Sequence, residues 1–291
     1  MTLANGFEVL TKAQSHQYAV GGFDIFNLES MQAVIAAAEE LGSPIFLQAC
    51  VRSLNHIGIK QAALMMRQAA SQASVPVVVH FDHGPDPTQL VDVSRVLEAG
   101  FTSVMVDGSR LPIDENIELT RNAVRMARCS GAAVEGEIGK IGRITAGRAD
   151  EVAQRITSSP GSKDWLTSPE EATRFVRESG VDYVAISIGS ISGSSSRLDL
   201  ALLQDLAKLI PIPIVLHGGT GVLEEDLSKA IKLGITKVNI AHGIRRVFIK
   251  TLRDALSEGT NTDNPYVLLN QAREDMKSYV SEKIRQLKGI S

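Results

Sequence analysis

The chain has 291 residues, with 30 Lys and Arg against 33 Asp and Glu and a net charge of −3. Near-balanced charge with 4% aromatic residues excludes the basic surface typical of proteins that bind nucleic acid or anionic membranes, and no apolar run approaches the ~18 residues of a transmembrane helix. Two cysteines and an N-terminus without a signal-peptide pattern indicate a cytoplasmic protein.

Short runs rich in Val and Ile alternate with amphipathic stretches along the whole chain. Strands are predicted at 18–25, 44–50, 75–82, 102–108, 132–138, 181–189, 212–219 and 235–240. Continuous apolar runs of this length are typical of parallel strands buried on both faces. The helical stretches between them include residues 29–42, 89–100, 115–131, 168–180, 198–210 and 224–234.

Alternating strands and helices predict an α/β fold, a single (β/α)8 TIM barrel that spans residues 1–291 as one domain. The sequence after the first strand lacks the G-x-G-x-x-G of a dinucleotide-binding sheet. An extra helix is predicted at 6–15 and a helical extension at 264–288. Residues 139–167 form a Gly-, Ser- and Arg-rich connection longer than an ordinary βα loop, which indicates a lid or substrate clamp.

Polar side chains cluster where the predicted strands end. They are Asp24, His80, Asp82, His83, Asp107, Glu135, Glu137, His217, Asn239 and His242. In a barrel the carboxyl ends of all strands meet at one rim, so these groups are expected around one cavity, although each alone could be a satisfied structural group. Histidine plus carboxylate is a ligand set suited to Zn²⁺ or a similar divalent ion.

A glycine-rich turn separates the seventh strand from the helix that begins near Leu223. Backbone N–H groups at such a turn can hold a phosphate, and barrel phosphate sites often lie on the loops after strands 7 and 8. We expect an oxyanion subsite formed by Gly218, Gly219 and Thr220 of this turn together with Gly193 from the run after the sixth strand.

Nearly the whole chain resembles the class II, metal-dependent fructose- and tagatose-bisphosphate aldolases. The segments that carry the resemblance are VPVVVHFDHG, GFTSVMVDGSRLPIDENI, VEGEIGKIG, SPEEATRFV, IPIVLHGGTG and KVNI. The resemblance implies a homo-oligomer that reversibly cleaves a phosphorylated or otherwise anionic ketose. It also implies a divalent metal, with zinc as the expected ion, that polarises the substrate carbonyl.

Carried over position by position, the resemblance implies that Asp82 is the catalytic acid or base. The implied metal ligands are His83, His217 and Glu137. The implied substrate- and phosphate-binding residues are Gly218, Gly219, Thr220 and Asn239.

The chain departs from the family's pattern at several positions. Ser192 stands where a third zinc histidine is expected, and a neutral hydroxyl is a poorer Zn²⁺ ligand than imidazole. The lid loop has no acid near Ile144 and Thr145, where a proton-moving acidic pair is expected. His242 replaces the threonine of the phosphate motif and is expected to donate a hydrogen bond or a charge to the anion, and Phe26 replaces an asparagine.

Three functional interpretations stay open. The leading one is an aldolase-type lyase, and the second is a non-catalytic or regulatory aldolase paralogue. The third is a Schiff-base aldolase that uses Lys237, against which stands a buried lysine paired with Glu135 or Glu137.

The basic residues near the rim also have two interpretations. These residues are Arg52, Arg110, Lys140, Arg143 and Arg197. Their side chains are either solvated surface charges or ligands for a carboxylate, sulfonate or phosphate group of the substrate.

Overall fold

Eight parallel strands close into a barrel in the computed structural model, which describes residues 2–82, 89–143, 163–192, 194–257 and 264–289. The barrel strands are β1 (Val20–Asp24), β2 (Ile45–Cys50), β3 (Val77–Asp82), β4 (Ser103–Val106), β5 (Ala133–Ile138), β7 (Tyr183–Ile186), β9 (Ile214–Leu216) and β10 (Ile235–Ile240). Each of these eight strands pairs with the next barrel strand in chain order, so that β5 pairs with β7 and β7 with β9, and β1 pairs with β10 to close the ring. The predicted TIM barrel is confirmed.

Helices surround the barrel. They are α1 (Gly6–Ser15), α2 (Leu28–Glu40), α3 (Val51–Ile57), α4 (Ile59–Gln72), α5 (Gln89–Ala99), α6 (Ile113–Arg128), α7 (Pro169–Ser179), α8 (Leu200–Leu209), α9 (Glu224–Lys232), α10 (His242–Ser257) and α11 (Pro265–Lys288). Local signals set their ends: the Ser168 side chain accepts from the Glu171 N–H at the start of α7, and left-handed Gly180 ends that helix. No helix within the described ranges is long and apolar enough to cross a bilayer.

Two apolar layers hold the barrel together. The larger layer lies between the strands and the surrounding helices, and the smaller one fills the barrel itself. The smaller layer includes Val20, Phe46 and Val78 from the strands together with Val9 and Leu10 of α1. The N-terminal helix therefore closes one end of the barrel, which leaves the carboxyl ends of the strands as the open mouth.

A second, two-stranded sheet lies within the connections that follow β5 and β7. Its strands, β6 (Gly142–Arg143) and β8 (Ile191–Ser192), run parallel. The connection predicted at 139–167 therefore begins with a strand that ties it to the next connection. Residues 144–162, which include Ile144 and Thr145, lie outside the described residues.

Candidate active site

A polar layer lies inside the barrel, towards the carboxyl ends of β3, β5, β9 and β10. Side chains alternate along a strand, so residues two apart face inward together. The side chains that contact one another across the barrel are His80, Asp82, Glu135, Glu137, His217, Lys237 and Asn239.

Glu135 is the centre of this layer and is fully buried. Its Oε2 accepts from Lys237 Nζ at 2.7 Å, and its Oε1 lies 2.8 Å from His217 Nε2. Burial alone raises the pKa of Glu135, but the charge of Lys237 and the hydrogen bond from His217 together outweigh burial and hold this pKa well below its usual range. Glu135 is therefore ionised at neutral pH.

Lys237 is also fully buried, and acceptors surround its ammonium group. Besides Glu135, it donates to Asn239 Oδ1 at 2.7 Å, and Nζ lies 5.0 Å from the centre of the Phe46 ring. A lysine that attacks a carbonyl needs a free and accessible Nζ, whereas Lys237 Nζ is held by Glu135 and Asn239 and is fully buried. The geometry therefore supports the paired lysine over the Schiff-base interpretation.

The hydrogen bonds of His217 decide which of its nitrogens carries the proton. Nε2 lies near both Glu135 Oε1 and Asn239 Nδ2, at 2.8 and 3.1 Å, and it cannot donate to one and accept from the other at once. Ionised Glu135 can only accept, and a hydrogen bond to a carboxylate is the stronger of the two. We therefore assign the proton to Nε2, which leaves a lone pair on Nδ1 in the neutral ring, 4.0 Å from Glu137 Oε2.

Asp82 ends β3 beside the same layer. Its Oδ2 accepts from Gln48 Nε2 at 3.2 Å, and Asn239 Nδ2 lies 3.5 Å from its Oδ1. Gly22 makes room for these neighbours, because a Cβ there would lie 2.4 Å from Gln48 Oε1 and 2.8 Å from Asn239 Oδ1. Two amides therefore fix the carboxylate of Asp82 at the mouth.

A hydrogen-bond chain that the sequence analysis missed lies beneath this layer. His80 Nδ1 is 2.6 Å from Ser103 Oγ, which also hydrogen-bonds to the Tyr183 hydroxyl. Burial and then the charge of Lys237 lower the pKa of His80 to about 3, so the ring is neutral. His80 is thus a structural histidine below the rim. The inward alternation of Ser103 and Tyr183 was the signal that could have placed them here.

A buried ion pair links β1 to α10 at the mouth. Asp24 is fully buried and accepts from Arg245 at 2.5 Å and from the Cys50 N–H at 3.3 Å. Burial raises the pKa of Asp24 to about 6, Arg245 lowers it, and the charge of Asp82 adds to the rise. Asp24 was expected at the rim from the sequence. Arg245 was missed, although it lies in the first turn after β10, where barrel sites are built.

The glycine-rich turn is compact. Gly218 has a left-handed backbone with φ of 74°, and Gly219–Gly221 form a 3₁₀ turn. A Cβ on Gly219 would lie 2.2 Å from Val238 Cγ1, so the turn packs directly against β10. His242 opens α10 next to β10. Gly218, Gly219 and Thr220 therefore lie beside the strand that carries Asn239.

Several of the predicted site residues lie outside the described part of the chain or at its exposed surface. His83, Thr145 and Gly193 lie outside the described residues, and Ser192 is described only as part of β8. Of the rim cations, Arg52, Arg110 and Lys140 are exposed, and Arg197 pairs with Asp226 at 3.3 Å while its side chain stays 71% exposed. For these four the structure agrees with solvated surface charges.

The family model described as fructose-bisphosphate aldolase class-II matches residues 4–290. The chain belongs to this family.

Similar proteins support the assignment over the full length. The chain is 33% identical to a fructose-bisphosphate aldolase of Geobacillus stearothermophilus, with 98% of this chain and 97% of the relative covered. It is also 33% identical to the D-tagatose-1,6-bisphosphate aldolase subunit GatY of Klebsiella oxytoca, with the same coverage.

Solved structures agree. The YdjI aldolase of Escherichia coli K12 superposes with a TM-score of 0.81 at 27% identity, over 98% of this chain and 97% of that one. The fructose-bisphosphate aldolase of Campylobacter jejuni, at 20% identity, shares the fold with a TM-score of 0.83 over 99% and 96%. Membership of the class II aldolases confirms the resemblance and the aldol-lyase class predicted from the sequence, and the family is generally metal-dependent.

Proposed function

We propose that this class II aldolase family member reversibly cleaves a phosphorylated ketose at the mouth of its barrel. The reaction would use a divalent metal, preferably Zn²⁺, held by His217, Glu137 and His83. The observation that carries the proposal is the orientation of His217. Its Nε2 proton is directed to ionised Glu135, and its Nδ1 faces Glu137 Oε2 at 4.0 Å.

The donor set fits such a metal. Metal-binding histidines almost always donate their second nitrogen to a carboxylate or carbonyl, as His217 does to Glu135. With metal–ligand distances of about 2.0–2.2 Å, Nδ1 and a Glu137 oxygen are within reach of one ion. The described residues contain no group of three or more His, Cys, Asp or Glu that could hold a metal, so the third ligand must come from elsewhere, and His83 directly follows β3. When bound, the metal supplies a Lewis acid that polarises the substrate carbonyl.

The remaining residues transfer a proton or bind the substrate phosphate. In aldol cleavage the hydroxyl beside the breaking C–C bond loses its proton, and Asp82, fixed by Gln48 and Asn239, is the carboxylate that accepts it. Backbone N–H groups of the turn at Gly218 and Gly219 bind the phosphate, aided by Thr220 and by His242 at the start of α10.

Metal content tests the proposal. Protein purified without chelator is expected to hold bound divalent metal by mass spectrometry and to release triose phosphate from fructose or tagatose 1,6-bisphosphate. His83→Ala and His217→Ala should lose both properties. Asp82→Ala should keep the metal while kcat falls by about 10²–10⁴-fold.

The control is His16→Ala. His16 is exposed at the end of α1, where its ring hydrogen-bonds to the Lys12 carbonyl and to Ser15, so its loss should change neither readout. If the His83 and His217 variants keep wild-type metal content and activity, the site is not metallic. Metal-bound wild type that cleaves no ketose phosphate would favour a non-catalytic paralogue.

A further inference from the structure

The ion pair of Asp24 and Arg245 at the barrel mouth has no part in the proposed reaction, yet it adjoins Asp82. Asp24, the last residue of β1, accepts from Arg245 Nη2 at 2.5 Å and from the Cys50 N–H at 3.3 Å. Cys50 in turn pairs with Asp82 in the register of β2 and β3. Gln48 pairs with Asp24 in the register of β1 and β2, and its Nε2 donates to Asp82 Oδ2 at 3.2 Å. Two short paths through β2 therefore connect the ion pair to the proposed base.

An aromatic contact fixes Arg245 in place. The Phe248 ring, one turn further along α10, meets the Phe26 ring edge-on, with 5.3 Å between the ring centres and an angle of 68°. Phe26 lies two residues after Asp24, so the segment that leaves β1 touches α10 twice. Arg245 is in the first turn of α10, just after β10, and its side chain is 37% exposed. Its guanidinium group is therefore fixed at the mouth with part of its surface open to solvent.

The pair offers hydrogen bonds but no net positive charge. A guanidinium group carries several N–H donors, and within the described ranges of the chain Asp24 is its one hydrogen-bond acceptor. The Asp24 carboxylate already balances the charge of Arg245, and Asp82 adds a second negative charge close by. Burial raises the pKa of the Cys50 thiol, so this neighbour stays uncharged.

The role of Asp82 decides which part of the substrate meets the pair. Asp82 is the proposed acceptor of the proton on the hydroxyl beside the breaking bond, so the fragment that leaves as an aldehyde lies next to Asp82. The phosphate of the other fragment lies at the turn of Gly218 and Gly219.

We propose that Asp24 and Arg245 are specificity-determining residues for the aldehyde fragment: they select a ketose 1-phosphate whose far end carries a hydroxyl group, not a second phosphate. The inference rests on the proposed function, because it takes the roles of Asp82 and of the glycine-rich turn from it.

The physical argument is one of charge and of donors. A hydroxyl group suits both members of the pair, because it accepts from a guanidinium N–H and donates to a carboxylate oxygen. A phosphate group carries a charge of about −1.5 to −2 at pH 7, and in its ionised form it mainly accepts. It would face two carboxylates and a single cation, and like charges placed together oppose binding.

Matched substrates test the inference. The metal-loaded enzyme should cleave fructose or tagatose 1-phosphate with a kcat/KM on the order of tenfold or more above that for the corresponding 1,6-bisphosphate, measured at pH 8 as release of dihydroxyacetone phosphate. Asp24 is ionised at this pH, because burial raises its pKa only to about 6. Hexitol 1-phosphate and hexitol 1,6-bisphosphate have no carbonyl and are not cleaved. Their dissociation constants, measured by titration calorimetry, should show the same preference.

Two charge-changing variants should shift this preference in opposite directions. Asp24→Asn removes one carboxylate and leaves the charge of Arg245 unbalanced, so the preference for the monophosphate should fall by about tenfold or reverse. Arg245→Gln removes the cation of the pair, so both affinities should fall, and that for the bisphosphate should fall further. Loss of a purely structural role would not move the ratio in opposite directions. Arg253→Gln, on the same helix with an exposed side chain, is the matched control and should keep the wild-type ratio.

A wild-type preference for the 1,6-bisphosphates, or an unchanged ratio in both variants, would overturn the inference alone. An equal loss for both substrates in Arg245→Gln would also overturn it, because the arginine would then bind the phosphate that the two substrates share. A wild-type protein that neither binds nor cleaves any of these sugar phosphates would overturn the proposed function, and the inference with it.

Discussion

At the scale of single residues, Glu135 accepts hydrogen bonds from two basic side chains, Lys237 and His217. Both interactions depend on the negative charge of Glu135. Glu135→Gln keeps the shape but removes the negative charge that faces buried Lys237 at 2.7 Å. Breaking a buried ion pair from one side is destabilising by about 3–5 kcal/mol, so the variant should unfold at markedly lower urea concentration. Metal affinity should also fall by about 10–100-fold, because His217 loses the carboxylate that orients it.

The matched control is Glu118→Gln. Glu118 also contacts two basic residues, Arg121 and Arg125, but its side chain is 51% exposed, and such pairs contribute little. The double variant Glu135→Gln with Lys237→Met should recover much of the lost stability, since no unpaired buried charge remains. If Glu135→Gln unfolds like Glu118→Gln, the pair does not stabilise the barrel.

Sequence patterns predicted which residues lie at strand ends but not which atoms meet. Alternation placed Glu135 and Glu137 on one face, and Lys237 was weighed as a partner of either. The choice depends on the register between strands, and β5 and β10 are not neighbours in the sheet. Arg245 was missed because helix periodicity does not reveal which long side chain reaches across to another element.

Elements were predicted better than contacts. All eight barrel strands coincide with predicted runs, because apolar runs bounded by polar ends are a local signal. The short strands β6 and β8 were not predicted, since two-residue strands leave no pattern. Helices α3, α4 and α10 were not among the predicted stretches.

The link between β1 and α10 predicts a pH-dependent stability at the scale of elements. Because the pKa of Asp24 is raised to about 6 above the ordinary value for the unfolded chain, the folded state binds this proton more tightly. Its contribution to stability is present at low pH and is lost as pH rises through about 6. Arg245→Gln raises that pKa further, so the loss becomes larger.

We therefore expect Arg245→Gln to be nearly neutral at pH 5 and destabilising by about 1–3 kcal/mol at pH 8, a range reduced because the Arg245 side chain is 37% exposed. Urea unfolding from pH 5 to 8 measures the difference. In an Asp24→Asn background the same substitution should show no pH dependence between these values. A constant effect in both backgrounds would show that Asp24 does not couple to Arg245.

At the scale of the whole molecule, α11 supports the closure of the barrel. It packs on α2, α10 and β1, and the Leu287 carbonyl accepts from the Ala19 N–H just before β1, the strand that closes the ring with β10. The same helix carries Tyr279. Its end nearest the C-terminus therefore supports barrel closure, while Tyr279 in its middle packs against Gly243 at the start of α10.

This support is separable from substrate binding by mutation. Leu287 is 1% exposed, and a Cβ on Gly21 of β1 would lie 3.2 Å from its Cδ1. Leu287→Ala should lower the free energy of unfolding by about 2–5 kcal/mol through lost burial and a cavity, measured by urea unfolding at fixed protein concentration. Leu256→Ala, at a position 65% exposed, should change it by less than about 0.5 kcal/mol. The cavity would lie beside Gly21 of β1, so phosphate affinity well below the unfolding transition should match wild type. Parallel losses of phosphate affinity and stability in Leu287→Ala would show that the helix acts on the site as one unit, and equal stability of the two leucine variants would show that α11 does not hold the barrel closed.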